Sequence, residues 1–167
     1  MAVVDALYPP TTQVPNSGKY FRAAADVYGD IRYVCSSLYV SSVMSHLGIQ
    51  QTYQYHWDVV NPVDAASGFG VRHVRGSLPS WGLSPDGSAE SVISPYILRY
   101  LTSFVRTQGD PNLWRLEGAP VWKGFGAEEE RRLRFVNDPT RVAMEEGSEV
   151  YSLKCAFLNG IGPAIGQ

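Results

Sequence analysis

Gly68-Phe69-Gly70-Val71-Arg72-His73-Val74-Arg75-Gly76-Ser77-Leu78-Pro79-Ser80-Trp81-Gly82 is the stretch on which the reading of this chain turns. It lies inside residues 61–91, where eight glycines and prolines predict a long irregular loop. Loops of that length in compact domains usually carry function. Just upstream, residues 51–60 (QTYQYHWDVV) alternate Tyr53, Tyr55, Trp57 and Val59 with Gln54, His56 and Asp58, which predicts a strand. His73 therefore sits on a glycine-flanked loop beyond a strand end, a place from which a sheet can present an imidazole as a general base. A plain loop histidine is the competing account.

Working outward, residues 1–18 are rich in Pro, Thr and Ser and read as an extended lead-in. Helices are predicted over 19–27 and 31–47, separated by a break at Gly29-Asp30. In the second, Ile31, Val34, Cys35 and Leu38 are spaced for one buried face, and Gly48 is a natural left-handed stop. Residues 93–108 carry the clearest helical stripe: Ile93, Ile97, Tyr100, Leu101, Phe104 and Val105, with Pro95 in the first turn. Residues 120–122 read as short and extended. Residues 133–135 and 141–144 read as strands around a turn at Asn137-Asp138-Pro139, and the run Glu128 to Arg132 as a solvated turn. A last helix is predicted over 148–162, with Ser148 as its N-cap and Tyr151, Cys155 and Leu158 on one side. Helices alternate with strands, so the class is α/β. Three or so strands are few for 167 residues, which points to an incomplete central sheet.

Composition excludes several functions. A formal charge of −2 gives no basic footprint for nucleic acid, and 12% aromatic residues rule out a disordered chain. No apolar run approaches the roughly 18 residues of a membrane helix, and the first residues lack the basic and apolar regions of a signal peptide. Two cysteines, Cys35 and Cys155, are too few for a zinc site. No metal or organic cofactor is implied. The serine elbow G-x-S-x-G is absent. Its nearest miss, Gly82-Leu83-Ser84-Pro85-Asp86-Gly87, has the second glycine one residue late and a proline after the serine. Of the remaining histidines, His46 ends a helix and His56 lies in a tyrosine-rich strand; both read as structural.

The segment from Gly70 to Gly82 resembles the catalytic-histidine block of the type-B carboxylesterase/lipase family, especially its fungal branch: Gly-x-x-His, then a glycine after an aromatic nine residues later. Gly29-Asp30 with Tyr33-Val34-Cys35 resembles the family's Gly-Asp…Phe-x-Cys block, and Tyr53-Gln54-Tyr55 its Tyr-x-Tyr strand. Tyr100 to Thr107 with Asp110-Pro111-Asn112 resembles its helix and exit, Pro120-Val121-Trp122 its P-x-W element, and Lys154 to Leu158 its terminal cysteine helix. The likeness runs through nearly all of 20–165, in order.

The resemblance implies the C-terminal portion of an α/β-hydrolase fold, with packed helices on an incomplete sheet, over residues 1–167. Triad order in that fold is Ser, then Asp or Glu, then His. Such a piece keeps only the histidine, His73, and an N-terminal hydrolase segment would be its partner. The substrate implied is a carboxylic ester or lipid, and the parent family is secreted. In the family the two cysteines are paired, which implies a Cys35–Cys155 disulfide and an oxidising compartment. One departure stands out: the family commonly has a glutamate three residues after the histidine, where this chain has Gly76. Arg72 and Arg75 flank His73 instead and are expected to face solvent. The alternative is a catalytically inactive remnant acting as a binding or interaction module.

Overall fold

The structure is a computed structural model that describes residues 2–10, 14–49, 52–85, 87–126, 129–147 and 149–165. Among these residues one sheet forms from β1 (Tyr55–Asp58), β2 (Arg132–Val136) and β3 (Ala143–Glu145), in that order. β1 runs parallel to β2 with Trp57 opposite Phe135, and β2 runs antiparallel to β3 with Leu133 opposite Met144. The sheet is thus small and mixed, as expected of a partial α/β fold. β1 is shorter than the alternation predicts. Beyond Asp58 the pairing passes to a side chain: Asn137 accepts from the Val60 N–H at 2.9 Å and donates back to its carbonyl at 2.8 Å.

The long helix α6 (Ala89–Thr107) lies across this sheet. It follows the short helices α1 (Ala2–Leu7), α2 (Phe21–Gly29), α3 (Cys35–His46), α4 (Pro62–Ala66) and α5 (Ser77–Ser80). Ile93, Ile97 and Tyr100 of α6 are fully buried against Val59, Leu133, Phe135 and Trp122. Trp122 donates its indole N–H to the Gln54 carbonyl at 3.0 Å, which fixes it over the start of β1. Tyr100 donates to the Pro120 carbonyl, and burial pushes its hydroxyl up to about 12. α6 starts earlier than its apolar stripe. Ser88 caps it by accepting from the Ser91 N–H at 3.2 Å, so Pro95 falls in the second turn, not the first. Val105 is 73% exposed. At about 100° per residue it stands about 120° around the helix from Ile93, outside the buried stripe.

A second cluster joins α3 to the last helix, α7 (Glu149–Ile161), through Cys35, Leu38, Cys155 and Leu158, with Tyr8 and Phe125 closing it. Cys35 and Cys155 form the disulfide that the family resemblance implies, with Cα atoms 5.0 Å apart. Ser148, the expected N-cap of α7, lies outside the described residues, as does the Tyr151 side chain.

Four expectations need correction. Residues 2–7 of the lead-in are helical: Ala2 to Leu7 are compatible helix residues, and Pro9-Pro10 follow where the helix must stop. The chain does not break at Gly29-Asp30. It continues from α2 through one wide π-type turn, Asp30–Val34, into α3. Asp30 is buried there, accepting from the Tyr8 hydroxyl at 2.9 Å with the Lys154 ammonium 3.7 Å away. The long loop contains α4 and α5. Asn61 caps α4, accepting from the Val63 N–H at 3.0 Å, with Pro62 at the first helical position. Arg132 is not part of a solvated turn: it opens β2, buried, 2.8 Å from Glu145.

Candidate active site around His73

β1 delivers the chain to α4, and the loop 67–76 then carries His73 to the surface, where it is exposed. The imidazole stacks on Tyr33 with ring centroids 3.7 Å apart and planes 16° from parallel. Tyr33 lies in the π-type turn, and Tyr28 meets its ring edge-on at 6.4 Å. Helical continuity through Gly29-Asp30 is what puts Tyr33 there. A break at that point would have freed this ring from any fixed relation to the loop.

The residue after the histidine is strained. Val74 has φ +66°, a left-handed conformation that a β-branched side chain adopts at a cost of about 1–3 kcal/mol. On either side, Arg72 and Arg75 reach one carboxylate, that of Asp64 in the first turn of α4. Arg72 donates through Nη2 to Oδ1 at 2.7 Å; Arg75 donates through Nε and Nη2 to Oδ2, each at 2.6 Å. The Asp64 side chain is 3% exposed. Both arginines reach solvent in part, as expected, with Arg72 half exposed, but their guanidinium groups are committed to a buried partner, which the sequence did not suggest. At the other end of the loop, Arg22 of α2 donates to the carbonyls of Gly68 and Phe69.

Gly76 lies flat against the Trp57 indole. A Cβ there would meet the ring at 3.0 Å, so a glutamate at this position requires the indole to give by a few tenths of an ångström.

A cavity of about 460 Å³ opens beside His73, with walls from Arg75, Leu78, Pro79, Ser84 and Glu90. Glu90 is buried and accepts from the Asn61 side-chain amide at 3.0 and 3.3 Å. Two buried carboxylates thus lie near the histidine loop, and both are engaged elsewhere. Among the described residues no carboxylate hydrogen-bonds the His73 ring. Ser84, of the rejected elbow, has its hydroxyl buried at the cavity wall without a hydrogen-bond partner among the described residues. Sequence reasoning missed Tyr33, Asp64 and Glu90. Asp64 and Glu90 each stand in the first turn of a helix, the one signal that marked them.

The other histidines are held as structural groups. His46 meets the Ser42 carbonyl at 2.8 Å in the last turn of α3. His56 on β1 pairs across the sheet with Glu145 at 2.9 Å. Burial raises the Glu145 carboxyl, but the His56 hydrogen bond and the charges of His56, Arg132 and Arg134 outweigh it and hold it below the usual range.

No protein-family model matches this chain. It is similar to Secreted lipase 4 of Gibberella zeae, 28% identical over 156 residues, covering 87% of this chain and 27% of that protein. Its fold is similar to the crystal structure of Aspergillus niger EstA, with a TM-score of 0.85 and 26% identity, covering 96% of this chain and 32% of that one. The chain thus spans about a third or less of each of these two proteins. In sequence and fold it is lipase/esterase-like.

Proposed function

We propose that this chain supplies the histidine-bearing, C-terminal part of a carboxylic-ester hydrolase of the type-B carboxylesterase/lipase kind. His73 is the triad base, and the nucleophile and acid come from an N-terminal hydrolase segment. The observation that carries the reading is the exposed imidazole beside a cavity, on the loop that follows the carboxyl end of parallel strand β1. Ligand sites in α/β sheets form at that end of the strands. In the proposed cycle His73 takes the proton of the attacking serine hydroxyl and returns it to the leaving alcohol, and water then releases the acyl group by the same route. The substrate is a carboxylic ester or lipid ester. The Cys35–Cys155 disulfide and the secreted lipase relative both support an extracellular parent.

Two surfaces support a missing sheet. Among the described residues β1 is paired on one side alone, leaving an open parallel edge. Along α3, Tyr39, Val40, Val43, Met44 and Leu47 form an apolar face between 39% and 73% exposed. Among the described residues no helix is long and apolar enough to cross a membrane.

The second reading, an inactive remnant serving as a binding module, is favoured by one observation: His73 rests on Tyr33 and, among the described residues, no carboxylate orients it. An aryl ester assay separates the two. The chain is tested alone, then mixed with the N-terminal two thirds of the Gibberella zeae lipase. Hydrolysis that arises on mixing and disappears with His73→Ala supports the split hydrolase. Binding of the two segments without turnover supports the remnant.

A further inference from the structure

We infer that Asp64 is a positioning residue for His73, one carboxylate that fixes both sides of the histidine and cancels part of the charge around it. The inference rests on the reading of His73 as the base and deepens it. A nearly fully buried carboxylate is retained only where it is well paired. Among the described residues the Asp64 carboxylate takes its partners from two places, one residue before His73 and two residues after it. Oδ1 receives Arg72 and Oδ2 receives both donors of Arg75, so the ends of the segment 72–75 are tied to a single point while His73 and Val74 bulge between them.

That geometry accounts for the left-handed turn at Val74. A strained corner persists where its surroundings over-determine it, and here two guanidinium arms on one anchor close a loop too short for relaxed backbone. The electrostatic consequence is also direct. Arg72 and Arg75 flank His73 in sequence and bring two positive charges to its loop. Sharing one carboxylate leaves a net charge of +1 from the three groups instead of +2 from two. α4 itself, five residues long, needs neither arginine.

The test is NMR of the labelled 167-residue chain and its Asp64→Asn and Arg72→Gln variants. It reads the His73 ring shifts, moved upfield by the stacked Tyr33, and amide exchange across 72–76. In Asp64→Asn the ring signals are expected to move toward solvent values and exchange at 72–76 to rise by about tenfold, while α6 stays within about twofold. Arg72→Gln, whose side chain is half exposed and which leaves the Arg75 pair intact, should fold and show the same changes at smaller size. It decides the question if Asp64→Asn does not fold. Unmoved His73 ring signals in a folded variant, or exchange raised equally in α6 and the loop, would overturn the inference. Neither readout depends on ester turnover. Failure of the mixing assay with an intact loop response therefore discards the hydrolase and keeps the clamp.

Discussion

Around Tyr100 the chain is held by rings: Tyr100, Trp122 and Phe135 meet at 5.5 to 6.5 Å, with Ile93 and Ile97 filling the space between α6 and the sheet. Around His73 the apolar contacts are few: Val14 and Pro15 lie against Gly68, Gly76 against the Trp57 ring, and Pro79 is buried at the cavity wall. That loop is held by Arg22 on two carbonyls, by Asp64 on two arginines and by one stacked tyrosine. The difference is one of range. Apolar burial is non-directional and tolerates small shifts, whereas charged hydrogen bonds fix position over tenths of an ångström. A core can be built from the first and a reacting group held by the second.

The largest way to break the comparison lies in the cluster between α3 and α7, which has the disulfide where the sheet side has its rings. Cys35 and Cys155 are separated by 120 residues in sequence. In the chain-entropy model a bridge closing that loop is worth about 5 kcal/mol. Cys35→Ala with Cys155→Ala is expected to lower stability by roughly that amount, measured by urea unfolding, with α7 losing amide protection before α6 does. A loss below about 1 kcal/mol would mean that Leu38, Leu158 and Phe125 hold the helices without the bond.

The same contrast decides what could be read in advance. The stripe Ile93, Ile97, Tyr100 and the turn at Asn137-Asp138-Pro139 are legible because local spacing alone sets them. The disulfide was legible only through family resemblance, since two cysteines 120 residues apart carry no local sign of pairing. Gly29-Asp30 misleads for a physical reason. Locally it is a breaker pair, but Asp30 is captured by Tyr8 and Lys154 from distant parts of the chain, and the helix runs on. Arg132 misleads likewise: in a charged run it reads as solvated, until Glu145 comes across from β3. At the candidate site the position of His73 was legible, whereas Asp64, Glu90 and the Tyr33 stack were not. Each of these depends on which side chains a turn brings within 3 to 4 Å, and spacing does not encode that.

A smaller effect probes the polar seam inside the sheet itself. Glu145 is held below the ordinary carboxylate range, so its contribution is fully present above its unfolded value of about 4.3 and is lost as pH falls through the lower folded value. The wild-type melting temperature is therefore expected to fall below about pH 4.3 more steeply than that of Glu145→Gln. At pH 7 the variant should be less stable by about 1–2 kcal/mol, the loss of charged hydrogen bonds to His56 and Arg132. Parallel acid profiles for the two proteins would assign the seam no role in acid stability.

The smallest effect has the opposite sign. Val74 is 65% exposed, so its side chain contributes little burial, yet its backbone is left-handed. Asparagine tolerates that region far better than valine. Val74→Asn is expected to raise stability by about 0.5–1 kcal/mol, a gain of one to a few degrees in melting temperature. The His73 ring signals should stay where they are, because the Asp64 clamp and the Tyr33 stack are untouched. A stabilised variant with unmoved ring signals would place the strain in the backbone and the positioning in the carboxylate. A destabilised one would mean that the valine side chain itself supports the loop, and the division between an apolar core and a polar site would not hold at this corner.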